Sequence, residues 1–226
     1  MRAVAIVAAA GSGERLGMPS PKAFVSLGGR PILARAVETA LACPAIGIVI
    51  VAAPPGAEDL AHAIVEPLGA HAVVTGGATR QASIRAALAA VPADAAVVVC
   101  HDAARALATP ALFTAVVEAL GGWDGVVPVV PVPDTVKRVQ GERVVGTEPR
   151  EGLALAQTPQ AFVAAALRDA HARAEASGLE ATDDAALLEW AGYRVRAVPG
   201  EATNLKITTA EDLARAEVLL AEGSRA

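Results

Sequence analysis

The chain has 226 residues, enough for one large α/β domain or one domain with a small appendage. Apolar residues make up 54% of it, many of them Ala and Val, so a large core of small side chains is expected. The net charge of −5 argues against nucleic acid as a partner, and no apolar run approaches the ~20 residues that a membrane-spanning helix needs.

The first element is the apolar run Ala3–Ala8, which reads as a buried strand. Arg2, this run and Ala8-Ala9-Ala10 mimic a miniature signal peptide, but the apolar stretch is too short and the basic region almost absent. A strand of a cytoplasmic protein is expected instead. It feeds into Ala9-Ala10-Gly11-Ser12-Gly13-Glu14-Arg15-Leu16-Gly17, with Pro21-Lys22 soon after. Glycines let backbone N–H groups approach phosphate oxygens, and the Arg and Lys can neutralise charge that shifts during phosphoryl chemistry. A Walker A loop would need Lys-Ser/Thr directly after its last glycine, and the dinucleotide fingerprint would need glycine at Leu16.

Strand and helix then alternate. A helix is expected from Pro31 to about Ala42, with Pro31 suited to the first turn. Ile46–Val51 reads as a strand, Ala57–Pro67 as a helix, and His71–Thr75 as a strand ending in Gly76-Gly77. A helix over Thr79–Ala90 precedes a buried strand, Ala95–Cys100, whose end carries His101-Asp102-Ala103-Ala104-Arg105. Thr109-Pro110 opens a helix to about Leu120, and Gly125–Val130 is the next strand. Continuous apolar strands separated by helices predict a three-layer α/β fold, with a mostly parallel central sheet covered on both faces. Such sheets bind ligands at the carboxyl ends of their strands. The glycine loop, Gly76-Gly77 and His101-Asp102 should therefore face one crevice.

From about Pro133 to Glu148 the alternation breaks. Val136–Val139, a Gln140-Gly141-Glu142 turn and Arg143–Val145 predict a β-hairpin too small and polar to stand alone, hence an arm that grips another subunit. A short strand near Leu153–Gln157, a helix near Pro159–Ala176, a helix over Asp183–Trp190, a strand Tyr193–Val198 and a last helix Thr209–Ala221 follow. Glu211 and Asp212 suit the dipole of that last helix. One domain over residues 1–226 is expected, with the arm at about 133–150 and no room for a fused second enzyme after the last helix. Cys43 and Cys100 form no C-x-x-C pair and read as reduced, partly buried apolar residues. Positive charge is written almost entirely as Arg, and the only lysines are Lys22, Lys137 and Lys206.

The pattern G-x-G-x-R-L followed by Pro-Lys resembles the signature of sugar-phosphate nucleotidyltransferases. Together with GGATRQASI, HDAAR, DTVKR, the Arg150-to-TPQ region, TDDA and NLKIT, in that order over nearly the whole chain, it resembles the 2-C-methyl-D-erythritol 4-phosphate cytidylyltransferase family. The resemblance implies a Rossmann-like nucleotidyltransferase of the non-mevalonate isoprenoid route. It would transfer CMP from CTP to methylerythritol phosphate and release pyrophosphate, with Mg²⁺ or another divalent cation as cofactor and a homodimer joined through the arm. It assigns Arg15, Lys22 and Lys206 to catalysis, and Asp102 to the metal. Ala10, Gly11, Gly77 and Ser83 would hold the cytidine; Arg105, Thr135, Arg150 and Thr158 would hold the polyol phosphate. The chain departs from the family's pattern at Ala78, at Ala106 and at Thr203, where many members have Asp.

Blander readings apply to other residues. His101 should point to the opposite face from Asp102 if the strand continues, giving it a structural role. Asp183-Asp184 after Thr182 reads as a helix cap and first turn. Lys137 and Arg138 read as exposed hairpin charge, and Trp123 and Trp190 as packing residues. A ribitol-phosphate cytidylyltransferase, a molybdopterin nucleotidyltransferase and a non-catalytic nucleotide-binding protein are the alternatives; Leu16 disfavours a nicotinamide-dependent oxidoreductase.

Overall fold

The computed structural model describes residues 3–11, 13–17 and 20–223, so Arg2 and Ser12 lie outside the described residues. Strand β1 (Ala3–Ala8) runs into the glycine loop, and a two-residue ribbon, β2 (Ser26–Leu27) and β3 (Arg30–Pro31), leads to helix α1 (Ile32–Ala42). Then come β4 (Ile46–Ala53), α2 (Glu58–Val65), β5 (Ala72–Thr75), α3 (Arg80–Leu88), β6 (Val97–Asp102), α4 (Pro110–Glu118) and β7 (Gly125–Pro131). The hairpin β8 (Val136–Gln140) and β9 (Arg143–Glu148) interrupts the order. After it come β10 (Ala154–Ala156), β11 (Gln160–Val163), α5 (Ala164–Ser177), α6 (Asp184–Trp190), β12 (Val195–Pro199) and α7 (Ala210–Gly223).

β1 pairs in parallel with β4 and β6, and β4 with β5, which forms the parallel core of one mixed eight-stranded sheet. Alternation along the strands sends side chains to two cores. Ala5, Val7, Val51 and Val99 face α1, α2 and α4, where Val37, Val65 and Phe113 meet them. Val4, Ile6, Ile50 and Val98 face α3, α5 and α6, where Ile84, Leu167 and Leu188 meet them. The three layers expected from the sequence are therefore present. A third, smaller cluster seats α7 through Ala216 against Ile207, Leu16 and Ile32.

The expected helix from Pro159 begins later. Gln160–Val163 is β11, antiparallel to both β6 and β7, and the helix starts at Ala164. The open edges of two buried strands supply hydrogen-bond partners that a helix would leave unused. Ala161 and Phe162 are divided between the two cores, as strand residues must be. Val126 of β7 pairs with both Ala161 and Arg196, and Val129 with both Ala156 and Pro199. A strand has only two edges, so β10 and β11 share one edge of β7 and β12 holds the other. The cis Thr158–Pro159 bond lies between β10 and β11.

His101 and Asp102 do point apart. The imidazole is buried against the Phe113 ring, 5.0 Å between centroids, and burial pushes its pKa down to about 4. In the arm, Arg138 pairs with Glu148 and Lys137 Nζ donates to Thr147 Oγ1 (2.6 Å), so both charges are used across the hairpin. Val139, Val144 and Val145 lie exposed on it. Trp123 and Trp190 each sit under an arginine, Arg194 and Arg173 respectively.

Phe162 is fully buried where β11 joins β6 to β7, and a Cβ added at Gly125 would lie 2.9 Å from its Cδ1. Phe162→Ala is expected to lower unfolding free energy by about 3–5 kcal/mol. Gly125→Ala alone should cost about 1–3 kcal/mol through overpacking, and much less in the Phe162→Ala background, where the ring is gone. Urea unfolding of the four proteins measures both numbers; equal costs in the two backgrounds would mean that the ring does not set the constraint at Gly125.

Candidate active site

At the carboxyl ends of β1, β5 and β6 a cavity of about 510 Å³ opens. Ala10 and Gly11 of the glycine loop, Gly77 before α3, Ser83 within α3, and Lys22, Asp102 and Lys206 all line it. Each is held by a local device. Gly13 has φ +74°, and a Cβ there would meet Lys22 Cβ at 2.6 Å, so only glycine lets the loop fold against the base of this lysine. Ser83 Oγ donates to Thr79 O (2.8 Å) and accepts from Gly77 N–H (3.1 Å), which fixes the Gly77 turn at the start of α3. Lys206 lies between two anchors. Asn204 is buried and donates through Nδ2 to Thr158 O (2.9 Å), while Ile207 is buried and its N–H donates to Ala104 O (2.9 Å). The Lys206 side chain keeps 41% exposure on the cavity side.

Asp102 is the charge centre. Its Oδ2 accepts from Lys206 Nζ (2.7 Å) and its Oδ1 from Arg80 Nε (2.7 Å). Burial alone would raise this carboxyl, yet the two cations hold it well below the ordinary carboxylate range. The Lys22 ammonium is pushed the other way. Burial, then Lys206 and Arg15, lower its pKa, and Asp102 offsets only part of that. Like charges gathered this closely make a site that is completed by an anion.

Arg15 is exposed and does not line the cavity, but it stands near enough to act on Lys22. Arg105 and Thr158 are turned to the protein. Arg105 donates from Nη1 to Asn204 O (2.7 Å) and from Nη2 to Ala156 O (3.0 Å), stapling two loops together. Thr158 Oγ1 accepts from Asp102 N–H (2.9 Å) and is hydrogen-bonded to His101 Nδ1, 3.1 Å away. Thr135 and Arg150 are exposed at the foot of the arm and do not line this cavity. Arg150 instead borders a second recess, of about 930 Å³, between the end of β7 and β12, where its Nη1 donates to Pro133 O (2.5 Å).

Two residues escaped the sequence reading. Arg80 lines the cavity and joins Asp102 to Asp184, with its Nη1 2.7 Å from Asp184 Oδ2. An arginine in the first turn of α3 stands against the helix dipole, and that mismatch was the available signal. Asp184, at the start of α6, suits the dipole and so looked ordinary; the capping is done by Asp183, whose Oδ1 accepts from Ala186 N–H (2.9 Å).

Among the described residues no helix is long and apolar enough to cross a membrane, and no three His, Cys, Asp or Glu side chains cluster as metal ligands. Asp102 alone tests the fit of a divalent cation. Each of its oxygens accepts one charge-assisted bond and retains a second acceptor site. A hard cation held by one carboxylate plus substrate phosphates suits that donor set.

A family profile described as 2-C-methyl-D-erythritol 4-phosphate cytidylyltransferase matches residues 3–222. An enzyme of that name from Rhodococcus jostii is 49% identical over 98% of this chain and 96% of its own length. A bifunctional enzyme IspD/IspF from Rhodopseudomonas palustris is 45% identical over 96% of this chain, which spans 55% of that relative. The crystal structure of the cytidylyltransferase from Thermus thermophilus superposes with a TM-score of 0.81 at 42% identity, covering 97% of this chain and 98% of that one. By profile, sequence and fold, this chain belongs to the 2-C-methyl-D-erythritol 4-phosphate cytidylyltransferase family.

Proposed function

We propose that this chain transfers CMP from CTP to the phosphate of 2-C-methyl-D-erythritol 4-phosphate, forming CDP-methylerythritol and pyrophosphate for isoprenoid precursor synthesis. The observation that carries the reading is the gathering of Lys22 and Lys206 around the single carboxylate Asp102, at the strand ends, in a chain of this family. A phosphate oxygen of the polyol attacks the α-phosphorus of CTP, the bond from that phosphorus to the β-phosphate bridging oxygen breaks, and pyrophosphate leaves with the electron pair. Such chemistry depends on positioning and on charge stabilisation. Lys22, with Arg15 beside it, meets the charge that builds on the departing pyrophosphate. Lys206 holds the attacking phosphate from the opposite side. The turns at Ala10-Gly11 and Gly77, with Ser83 behind the latter, receive the cytidine. A divalent cation held by Asp102 and the phosphates would neutralise phosphate charge when bound.

Arg105 and Thr158 frame the polyol-phosphate side from behind, by holding the Asn204 and Asp102 backbones in place. Thr135 and Arg150 act in the cavity of a second copy, in a homodimer joined through the β8–β9 arm. The exposed Val139, Val144, Val145 and Leu155 at this end of the molecule support that partner.

A pyrophosphate-release assay with CTP and methylerythritol phosphate should give turnover; turnover with ribitol phosphate alone would move the chain to the other polyol. Lys22→Ala should lower kcat by roughly two to four orders of magnitude, with a smaller loss of CTP affinity. Unchanged kcat with weakened CTP binding would make Lys22 a ground-state ligand. Neither Arg150→Ala nor Lys22→Ala homodimers should be active, yet mixing them should recover activity. Each heterodimer then holds one site with both residues intact and one with neither. Verified subunit exchange without recovery would return Arg150 to its own chain's cavity, or to no site.

A further inference from the structure

Behind the cavity a line of charge runs inward across three helices. Arg80, in the first turn of α3, donates from Nε to Asp102 Oδ1 (2.7 Å) and from Nη1 to Asp184 Oδ2 (2.7 Å). His171 of α5 meets the other oxygen of Asp184, with Nε2 3.1 Å from Oδ1. Asp184 has no exposed surface, and His171 is buried beside it. Neither lines the cavity, whereas Asp102 and Arg80 both do. The line therefore starts in the site and ends in the core between α5 and α6.

We propose that Asp184 is a positioning residue for the reaction in the cavity: it anchors Arg80, and through Arg80 holds Asp102 in one orientation while phosphates enter and leave. The reasoning begins with Arg80. A long arginine in the lining of a cavity built for a polyanion would turn towards any phosphate that entered. Its planar guanidinium presents donors in a fixed fork, so one bond to a buried carboxylate sets the direction of the others. With Nη1 held on Asp184, Nε can point only at Asp102. Lys206 is the contrast. Its ammonium, on a flexible and 41% exposed stem, pairs with Asp102 and, among the described residues, with no second carboxylate, and is free to leave with the substrate. One Asp102 oxygen thus has a fixed partner and the other an exchangeable one. His171 closes the line by holding Asp184 from the far side.

The inference rests on the nucleotidyl-transfer reading, so wild-type turnover is the first arm of its test. Steady-state kinetics of wild type, Asp184→Asn, Asp102→Asn and the double variant form a cycle. Asp184→Asn should lower kcat by about tenfold or more while KM for CTP changes by less than about threefold. The double variant should be no slower than Asp102→Asn alone, because Asp184 acts only through Asp102. Losses that multiply, or Asp184→Asn with more than about half the wild-type kcat, would overturn the relay. If circular dichroism shows Asp184→Asn unfolded, Arg80→Lys takes its place in the cycle. It keeps the charge but cannot span two carboxylates, and the same loss and non-additivity are expected. No pyrophosphate from wild type would overturn the reading and the relay together; pyrophosphate with multiplicative variants would overturn the relay alone.

Discussion

A carboxylate buried at the end of a core strand must be neutralised, and the arrangement that neutralises Asp102 fixes much of the cavity. Two cations reach it, one from the first turn of α3 and one from the loop before α7. Arg80 commits α3 to lie where its guanidinium meets the end of β6, and α3 carries the Gly77 turn with it. Lys206 commits the 204–207 loop, which then needs its own anchors in Asn204 and Ile207. Loss of the buried partner, Arg80, would leave the carboxylate poorly matched and be strongly destabilising. The walls of the site are thus held by the same charges that give it chemistry.

The parallel half of the fold was legible because its signals are local. β1, β4 and β6 are apolar runs, and the helix after β6 has its own start signal at Thr109-Pro110, where Thr109 Oγ1 accepts from Leu112 N–H (3.1 Å). β11 was not legible, because Gln160-Ala161-Phe162-Val163 is a strand only by virtue of the two edges it fills, and nothing within the segment announces them. The site divides the same way. Lys22 and Asp102 were visible as charged residues following apolar strands, whereas Lys206 was placed only by the family resemblance. Asp184 was hidden because a carboxylate in a first helical turn has an ordinary explanation, and only the structure turns it from solvent to Arg80.

Thr158, read from sequence as a substrate ligand, shows how one position can serve several groups. Its hydroxyl joins the Asp102 N–H to His101 Nδ1, and its carbonyl receives Asn204. Three segments distant in sequence, the end of β6, the turn between β10 and β11, and the approach to α7, therefore meet on one threonine. Arg105 repeats the pattern by bonding the carbonyls of Ala156, at the end of β10, and Asn204, on the approach to α7. Thr158 and Arg105 thus bond other protein groups, while Lys22 and Lys206 present their ammonium groups to the cavity.

That division also accounts for the choice between the two basic residues. The chain writes arginine by default, so lysine at 22 and 206 is an exception. Where geometry must not change, as at Arg80 between two carboxylates or Arg105 between two carbonyls, the planar fork is the better tool. Where charge must follow a ligand that moves, a compact ammonium on a flexible stem adapts without breaking a second contact. Burial and neighbouring cations already lower the pKa of Lys22. A polyanion bound there would oppose that pressure and favour the ammonium form of Lys22.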